Sequence, residues 1–131
     1  MPLSAPRNTA TRDPAVLNRF AVASGATRIY PGALVMLNSS GEALPGAAAT
    51  GQTAAGRAET DSTEEPGFVL VKRGVHRWKN SASTDAITAA DWGKQVFIVD
   101  DETVAKTNGS TTRSVAGICR GVDAAGVWVE T

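Results

Sequence analysis

Short apolar runs, separated by glycine-containing turns, recur along the chain from residue 17 onward. Ala33–Leu37 and Gln95–Val99 are compact apolar runs of strand length, and Asn38–Gly41 has the composition of a hairpin turn. The pattern predicts a mainly β fold, a small compact β-barrel or sandwich. Further strands are expected at residues 17–22, 42–44, 53–59, 68–73, 75–78, 103–105, 114–122 and 126–130, with a bulge at Gly74.

One short helical element interrupts the β pattern. Thr88–Asp91 has the arrangement of a capping box, in which Asp91 replaces the usual glutamate. Gly93 follows where a single helical turn would end. A short helix turn is therefore predicted near residues 88–92.

The second half of the chain resembles the first when the sequence is shifted by 61 positions. The shift aligns glycines with glycines and apolar runs with apolar runs, and a two-residue gap extends it to the last strand. The repeat predicts two similar β-units packed into one body, because neither would bury its apolar face alone. The matches are Gly32 with Gly93, Val35 with Val96, Ala55-Gly56 with Ala116-Gly117, and Gly67–Leu70 with Gly126–Val129.

The first 14 residues differ from the rest of the chain. Pro2, Pro6 and Pro14 exclude a helix and an interior strand. We therefore expect an extended N-terminal arm, residues 1–14, and a single β domain, residues 15–131. Extended segments bind by adding a strand to a partner's sheet, which makes four residues candidate contacts of the arm: Pro2, Leu3, Arg7 and Arg12.

Charge and hydropathy narrow the classes of partner. The 131 residues carry 13 basic and 13 acidic side chains, so the net charge is zero. A nucleic-acid surface needs clustered basic excess, and neutrality also leaves self-association unopposed by charge repulsion. No apolar run approaches the roughly 18 residues of a membrane span, and Met1–Arg7 lacks the apolar segment of a signal peptide. We expect no nucleic-acid or membrane partner and synthesis in a cytoplasm.

Residues that could carry chemistry are few and scattered. His76, the one histidine, lies between Val75 and Arg77, which offers neither a catalytic triad nor a metal cluster. The one cysteine, Cys119, is expected to be a small buried hydrophobe. No phosphate loop, nucleophile elbow or paired-cysteine motif occurs. The sequence therefore predicts no enzymatic activity, no metal and no cofactor.

Four polar or aromatic groups remain. Asp100–Glu102 lacks calcium-loop spacing and is expected to be a solvated hairpin turn. Asp61–Glu65 is expected to be a mobile surface loop rather than a catalytic site. Paired catalytic carboxylates must be held at a fixed separation across a cleft, which a mobile loop does not provide. Basic residues 72–79 next to a tryptophan are typical of single-strand nucleic-acid grooves, which the balanced charge argues against. The tryptophans are expected in the core and at a subunit interface: Trp78, Trp92 and Trp128.

Five segments follow one another in a characteristic order: Ile29–Asn38, Val71–Val75, Asp85–Lys94, Val99–Ala105 and Ala116–Val129. This order resembles that of tailed-phage capsid decoration proteins, the small cement proteins of Mu-like and lambda-like morphogenesis modules. The strongest match is Asp85–Lys94.

The resemblance implies a non-enzymatic protein that binds the exterior of a phage or prophage head and stabilises it. It implies two partners, the major capsid protein and further copies of the chain, with a trimer expected. It also implies a place on the virion exterior after assembly in the host cytoplasm. Two alternatives stay open: a carbohydrate- or receptor-binding β module that uses the tryptophans, and another virion component such as a tail or head fibre.

Overall fold

The computed structural model describes residue 2, residues 4–10 and residues 17–131. In that part of the chain, ten strands and two single turns of 3-10 helix form. The strands are β1 (Leu17–Ala21), β2 (Leu34–Leu37), β3 (Ala43–Pro45), β4 (Thr53–Ala58), β5 (Phe68–Lys72), β6 (Val75–Asn80), β7 (Gln95–Ile98), β8 (Thr103–Ala105), β9 (Val115–Asp123) and β10 (Gly126–Glu130). The helical turns are Ser83–Asp85 and Ala89–Asp91.

The strands form two units with the same order of neighbours. Unit 1, residues 17–72, is a sheet in the order β1-β5-β4-β2-β3. Unit 2, residues 75–130, is a closed barrel in the order β10-β6-β8-β7-β9. Read from β6, the barrel order is β6-β10-β9-β7-β8, which repeats unit 1 strand for strand. The predicted fold of two similar β-units is therefore confirmed.

The two units also close in the same way. In unit 2, a parallel pairing of Asn80 with Val104 joins the first strand to the third. In unit 1, the parallel bridge between Val22 and Ala43 joins the corresponding ends. Unit 2 is thus a closed barrel, and a single bridge joins the corresponding ends of the unit 1 sheet.

Local detail repeats at the predicted 61-residue offset. Both second strands carry a register shift at the same place, after Val35 and after Val96. The turn glycines also bond alike: the Gly32 N–H donates to the Ala58 carbonyl and the Gly93 N–H to the Cys119 carbonyl, each at 2.8 Å.

The last strand needs a correction to the predicted alignment. Arg57 pairs with Lys72, and Ile118 pairs with Glu130. Ile118 lies 61 positions after Arg57, whereas Glu130 lies 58 positions after Lys72. The predicted alignment places Gly126–Val129 on Gly67–Leu70, an offset of 59 that corresponds to a gap of two residues. The observed strand pairing requires an offset of 58 and therefore a gap of three residues. At the true offset, buried Val69 matches buried Val127.

Each unit has its own core, and β2 connects the two. The unit 1 core centres on Val35, Val69 and Val71. Leu34 and Met36 point to the opposite face of β2 and join the unit 2 core. The apolar positions of the predicted strands indicate ten core residues or their strand neighbours of opposite parity. Seven of the ten are buried, Leu34, Met36, Val69, Val71, Val96, Ile98 and Val127, while Phe20, Val22 and Val115 are half-buried. The neighbour of opposite parity, Ala116, is buried beside Val115.

Gly74 is a unit boundary rather than a bulge. β5 belongs to the unit 1 sheet and β6 to the unit 2 barrel, so the chain leaves one unit and enters the other at this residue. The φ of Gly74 is 150°, a conformation that L side chains rarely adopt.

The helical turn at 89–91 forms as predicted. The Thr88 N–H donates to Asp91 Oδ2 at 2.8 Å, and the reciprocal half of the capping box is also present. Asp91 is buried, and its hydrogen bond to the Thr88 N–H holds the pKa of its carboxyl below the usual value. Nearby Lys106 and Lys94 add to this lowering. The Asp91 carboxylate therefore stabilises the helical turn at Ala89–Asp91.

Of the predicted arm, residue 2 and residues 4–10 are described, and all of them are exposed. Pro2 and Arg7 are among these residues, whereas Leu3, Arg12 and Pro14 lie outside the described residues.

Candidate functional site

The three tryptophans occupy different environments. Trp78 is 5% exposed and belongs to the unit 2 core, so it has no surface to offer a second subunit. Trp92 is 62% exposed and Trp128 is 38% exposed. Of the three tryptophans, Trp92 and Trp128 are therefore the two that are exposed enough to contact a second subunit.

An arginine stacks on each exposed tryptophan. The Arg120 guanidinium carbon lies 5.0 Å from the centre of the Trp92 ring. The Arg77 guanidinium carbon lies 5.3 Å from the centre of the Trp128 ring, whose Nε1 also donates to Asp123 Oδ2 at 3.1 Å. These contacts fix the rings in one orientation before any partner arrives.

We define the unit 2 face as the outward residues of β6 and β10: Val75, Arg77, Trp128 and Glu130. Cross-strand pairing sets Val75 against Glu130 and Arg77 against Trp128. Arg120 borders this face, and its Nε donates to Glu130 Oε1 at 2.9 Å. Apolar surface and paired charge thus lie side by side, a composition typical of protein interfaces.

We define the unit 1 face as the corresponding residues of β1 and β5: Leu17, Arg19, Leu70 and Lys72. Leu17 pairs with Lys72 and Arg19 with Leu70, in the same register as the unit 2 face. Arg19 stacks 3.6 Å above the Phe68 ring and forms an ion pair with Glu65. Sequence reasoning missed both faces, although the alternation of 17–21 and 75–79 carries the signal.

The acidic segments are structural. Asp100–Glu102 forms the turn between β7 and β8, as predicted, and Glu102 forms an ion pair with Lys79. The Asp101 carbonyl accepts the Leu34 N–H at 2.8 Å, which ties this turn to unit 1. Burial, followed by the charge of Asp100, raises the pKa of the Asp101 carboxyl.

The expectation of a surface loop at Asp61–Glu65 is wrong for Asp61, which is buried. Its Oδ1 accepts hydrogen bonds from Arg28 Nε at 3.0 Å and from the Thr63 N–H at 2.9 Å. The Arg28 hydrogen bond is the main reason that the pKa of this carboxyl lies far below its usual range. The ion pair anchors the chain before β2 to the turn after β4.

His76 and Cys119 are also interior residues. His76 is 9% exposed, and its ring meets the Trp78 ring edge-on at a centroid distance of 6.2 Å. Burial lowers the pKa of the imidazole, and the nearby Arg57 lowers it further. Cys119 is fully buried, as predicted for a small hydrophobe.

The clefts on the described part of the molecule include two that could hold a small ligand. One, of about 270 Å³, lies between β4 and β9 and is lined by backbone and small side chains such as Thr53, Ala54 and Ala116. The other, of about 310 Å³, lies beside Tyr30 and Gly32 and ends at Asp101 and Glu102.

Within the described ranges, no group of three or more His, Cys, Asp or Glu side chains is placed to hold a metal ion. No helix among those residues is long and apolar enough to cross a membrane.

A scan against protein-family models, a search of curated proteins and a search of solved structures find no match for this chain.

Proposed function

We propose that this chain is a non-enzymatic structural protein that binds the exterior of a tailed-phage head and stabilises it. The observation that carries the proposal is an N-terminal segment, exposed at residues 2 and 4–10, that precedes two β-units with cores of their own. The order of segments that resembles capsid decoration proteins runs through both units, from Ile29 to Val129.

The N-terminal arm is the proposed capsid contact. Pro2 and Pro6 favour an extended backbone and limit the hydrogen bonds that the arm donates to a neighbouring strand. Arg7 and Arg12 would add charge-assisted bonds to carboxylates of the major capsid protein. Because ordering entropy is lost only on binding, each arm binds weakly, and many copies on one head raise the occupancy through avidity.

The test removes residues 2–12 and measures the melting temperature together with occupancy on undecorated heads. An unchanged melting temperature and a large loss of occupancy are expected, because the exposed residues of the arm contribute little to the cores. A variant that carries residues 2–12 in reversed order keeps length and composition and serves as the control for sequence-specific contact. Full decoration by the truncated protein would contradict the arm's role.

The exposed tryptophans favour a second candidate, a carbohydrate- or receptor-binding β module. Trp92 offers the larger free surface, since it is 62% exposed and only Arg120 stacks on its ring. Glycan-array binding that is lost in Trp92→Ala and kept in Tyr30→Ala, a variant at another exposed aromatic residue, would favour this candidate over the capsid role.

A further inference from the structure

The unit 1 face and the unit 2 face are two versions of one surface on the same chain. Leu17 and Val75 occupy equivalent positions and are 49% and 47% exposed. In each face, an arginine stacks on an aromatic ring and forms an ion pair with an acid, Glu65 in unit 1 and Asp123 in unit 2. The two faces therefore share one pattern, an exposed aliphatic side chain beside an arginine that stacks on an aromatic ring.

The two faces differ in the sign of their charges. Lys72 in unit 1 stands where Glu130 stands in unit 2, since Lys72 pairs with Leu17 and Glu130 with Val75. At the border, the alignment places Glu59 of unit 1 at the position of Arg120 of unit 2, 61 residues later. Each face is thus opposite in charge to the other at two positions.

We propose that copies of this chain associate head to tail, with the unit 1 face of one copy against the unit 2 face of the next. Leu17 of one copy and Val75 with Trp128 of the other supply the apolar contact. Lys72 of the first copy faces Glu130 of the second, and Glu59 of the first faces Arg120 of the second. Self-association is measured on the purified protein without a phage head, so its test is independent of the test of the capsid role.

The simplest alternative is a two-fold contact between identical faces. A two-fold axis beside Glu130 brings two carboxylates together, which is unfavourable, whereas an axis between Glu130 and the neighbouring Arg120 pairs opposite charges. In that second arrangement Lys72→Glu alone leaves association unchanged, which distinguishes it from the head-to-tail contact. A head-to-tail contact pairs opposite charges at every copy and leaves one face of each type free at the ends. Such contacts make a ring if the rotation closes and a filament if it does not.

Charge reversal tests the proposal. Lys72→Glu and Glu130→Lys each place like charges in the contact, so each variant alone should associate at least tenfold more weakly than the native chain. The double variant should recover association, because every contact then pairs opposite charges again. An equimolar mixture of the two single variants should associate more strongly than either variant alone, because opposite charges meet wherever the two variants alternate. Sedimentation velocity over a wide concentration range measures the association, and circular dichroism confirms folding.

Two controls and a second measurement make the test decisive. Lys94→Glu and Glu64→Lys make the same charge changes at exposed sites outside both faces and should leave association unchanged. Leu17→Ser should weaken association without a charge change, since it removes apolar contact at a half-exposed site. A native chain that stays monomeric at every concentration overturns the proposal, and so does a double variant that associates as weakly as the single variants.

Discussion

Gly56 and Gly117 hold the same position in the two units and make the same close approach. A Cβ atom on Gly56 would lie 2.3 Å from the Lys72 carbonyl oxygen, and one on Gly117 would lie 2.2 Å from that of Glu130. Both residues have positive φ, 136° and 156°. The backbone of the neighbouring strand lies so close that no side chain fits, so each unit requires glycine at this position.

Gly117→Ala should therefore destabilise the protein more than alanine at an uncrowded glycine. Gly93 also has positive φ, 83°, but a Cβ there meets nothing within 4 Å. Gly93→Ala should cost about 1–2 kcal/mol through backbone strain alone. Gly117→Ala should add overpacking of about 1–3 kcal/mol. Urea denaturation of both variants measures the difference, and equal losses would contradict the close approach.

Ile98→Ala should lower the free energy of unfolding by about 2–5 kcal/mol, because Ile98 is fully buried in the unit 2 core. Val75→Ala, a truncation on the half-exposed unit 2 face, should change it by about 0.5 kcal/mol or less. Chemical denaturation gives both values. An unchanged stability in Ile98→Ala would refute the assignment of β7 as a core strand.

Stability should fall in acid as Asp61 is protonated. The Arg28 hydrogen bond lowers the pKa of this carboxyl in the folded state, so its contribution is complete above the unfolded value of about 3.9 and is lost as the pH falls toward the folded value. The stability difference between the native chain and Asp61→Asn should be constant near neutrality and shrink at low pH. A difference that stays constant from neutral to low pH would contradict the contact between Asp61 and Arg28.

His76 should titrate below the ordinary histidine value of about 6.5. Burial is the main cause, and Arg57 disfavours the imidazolium further. A lowered folded pKa means that the contribution is present above the unfolded pKa and is lost as the pH falls through the window below it. Because the chain has one histidine, its Hε1 and Hδ2 resonances can be followed by NMR as the pH changes. A midpoint at or above the model-peptide value would contradict the burial.

The repeat shows how far sequence reasoning reaches. The 61-residue offset recovers the pairs Gly32 with Gly93 and Val35 with Val96, because turn glycines and core strands leave direct marks in composition. The sequence places the last strand one residue out of register, because Gly67 and Gly126 look equivalent in sequence. Cross-strand hydrogen bonds set the register instead and align Val69 with Val127.

Strands and turns can be placed from alternation and glycine positions, because both act over a few neighbouring residues. Which tryptophan is buried, the division of the chain into two units at Gly74, and the contact of Asp61 with Arg28 become visible only in the folded protein. These outcomes depend on contacts between residues far apart in the chain. The parallel contacts of Val22 with Ala43 and of Asn80 with Val104 join the first and third strands of each unit. This joining determines which side of each strand is buried and which side is exposed.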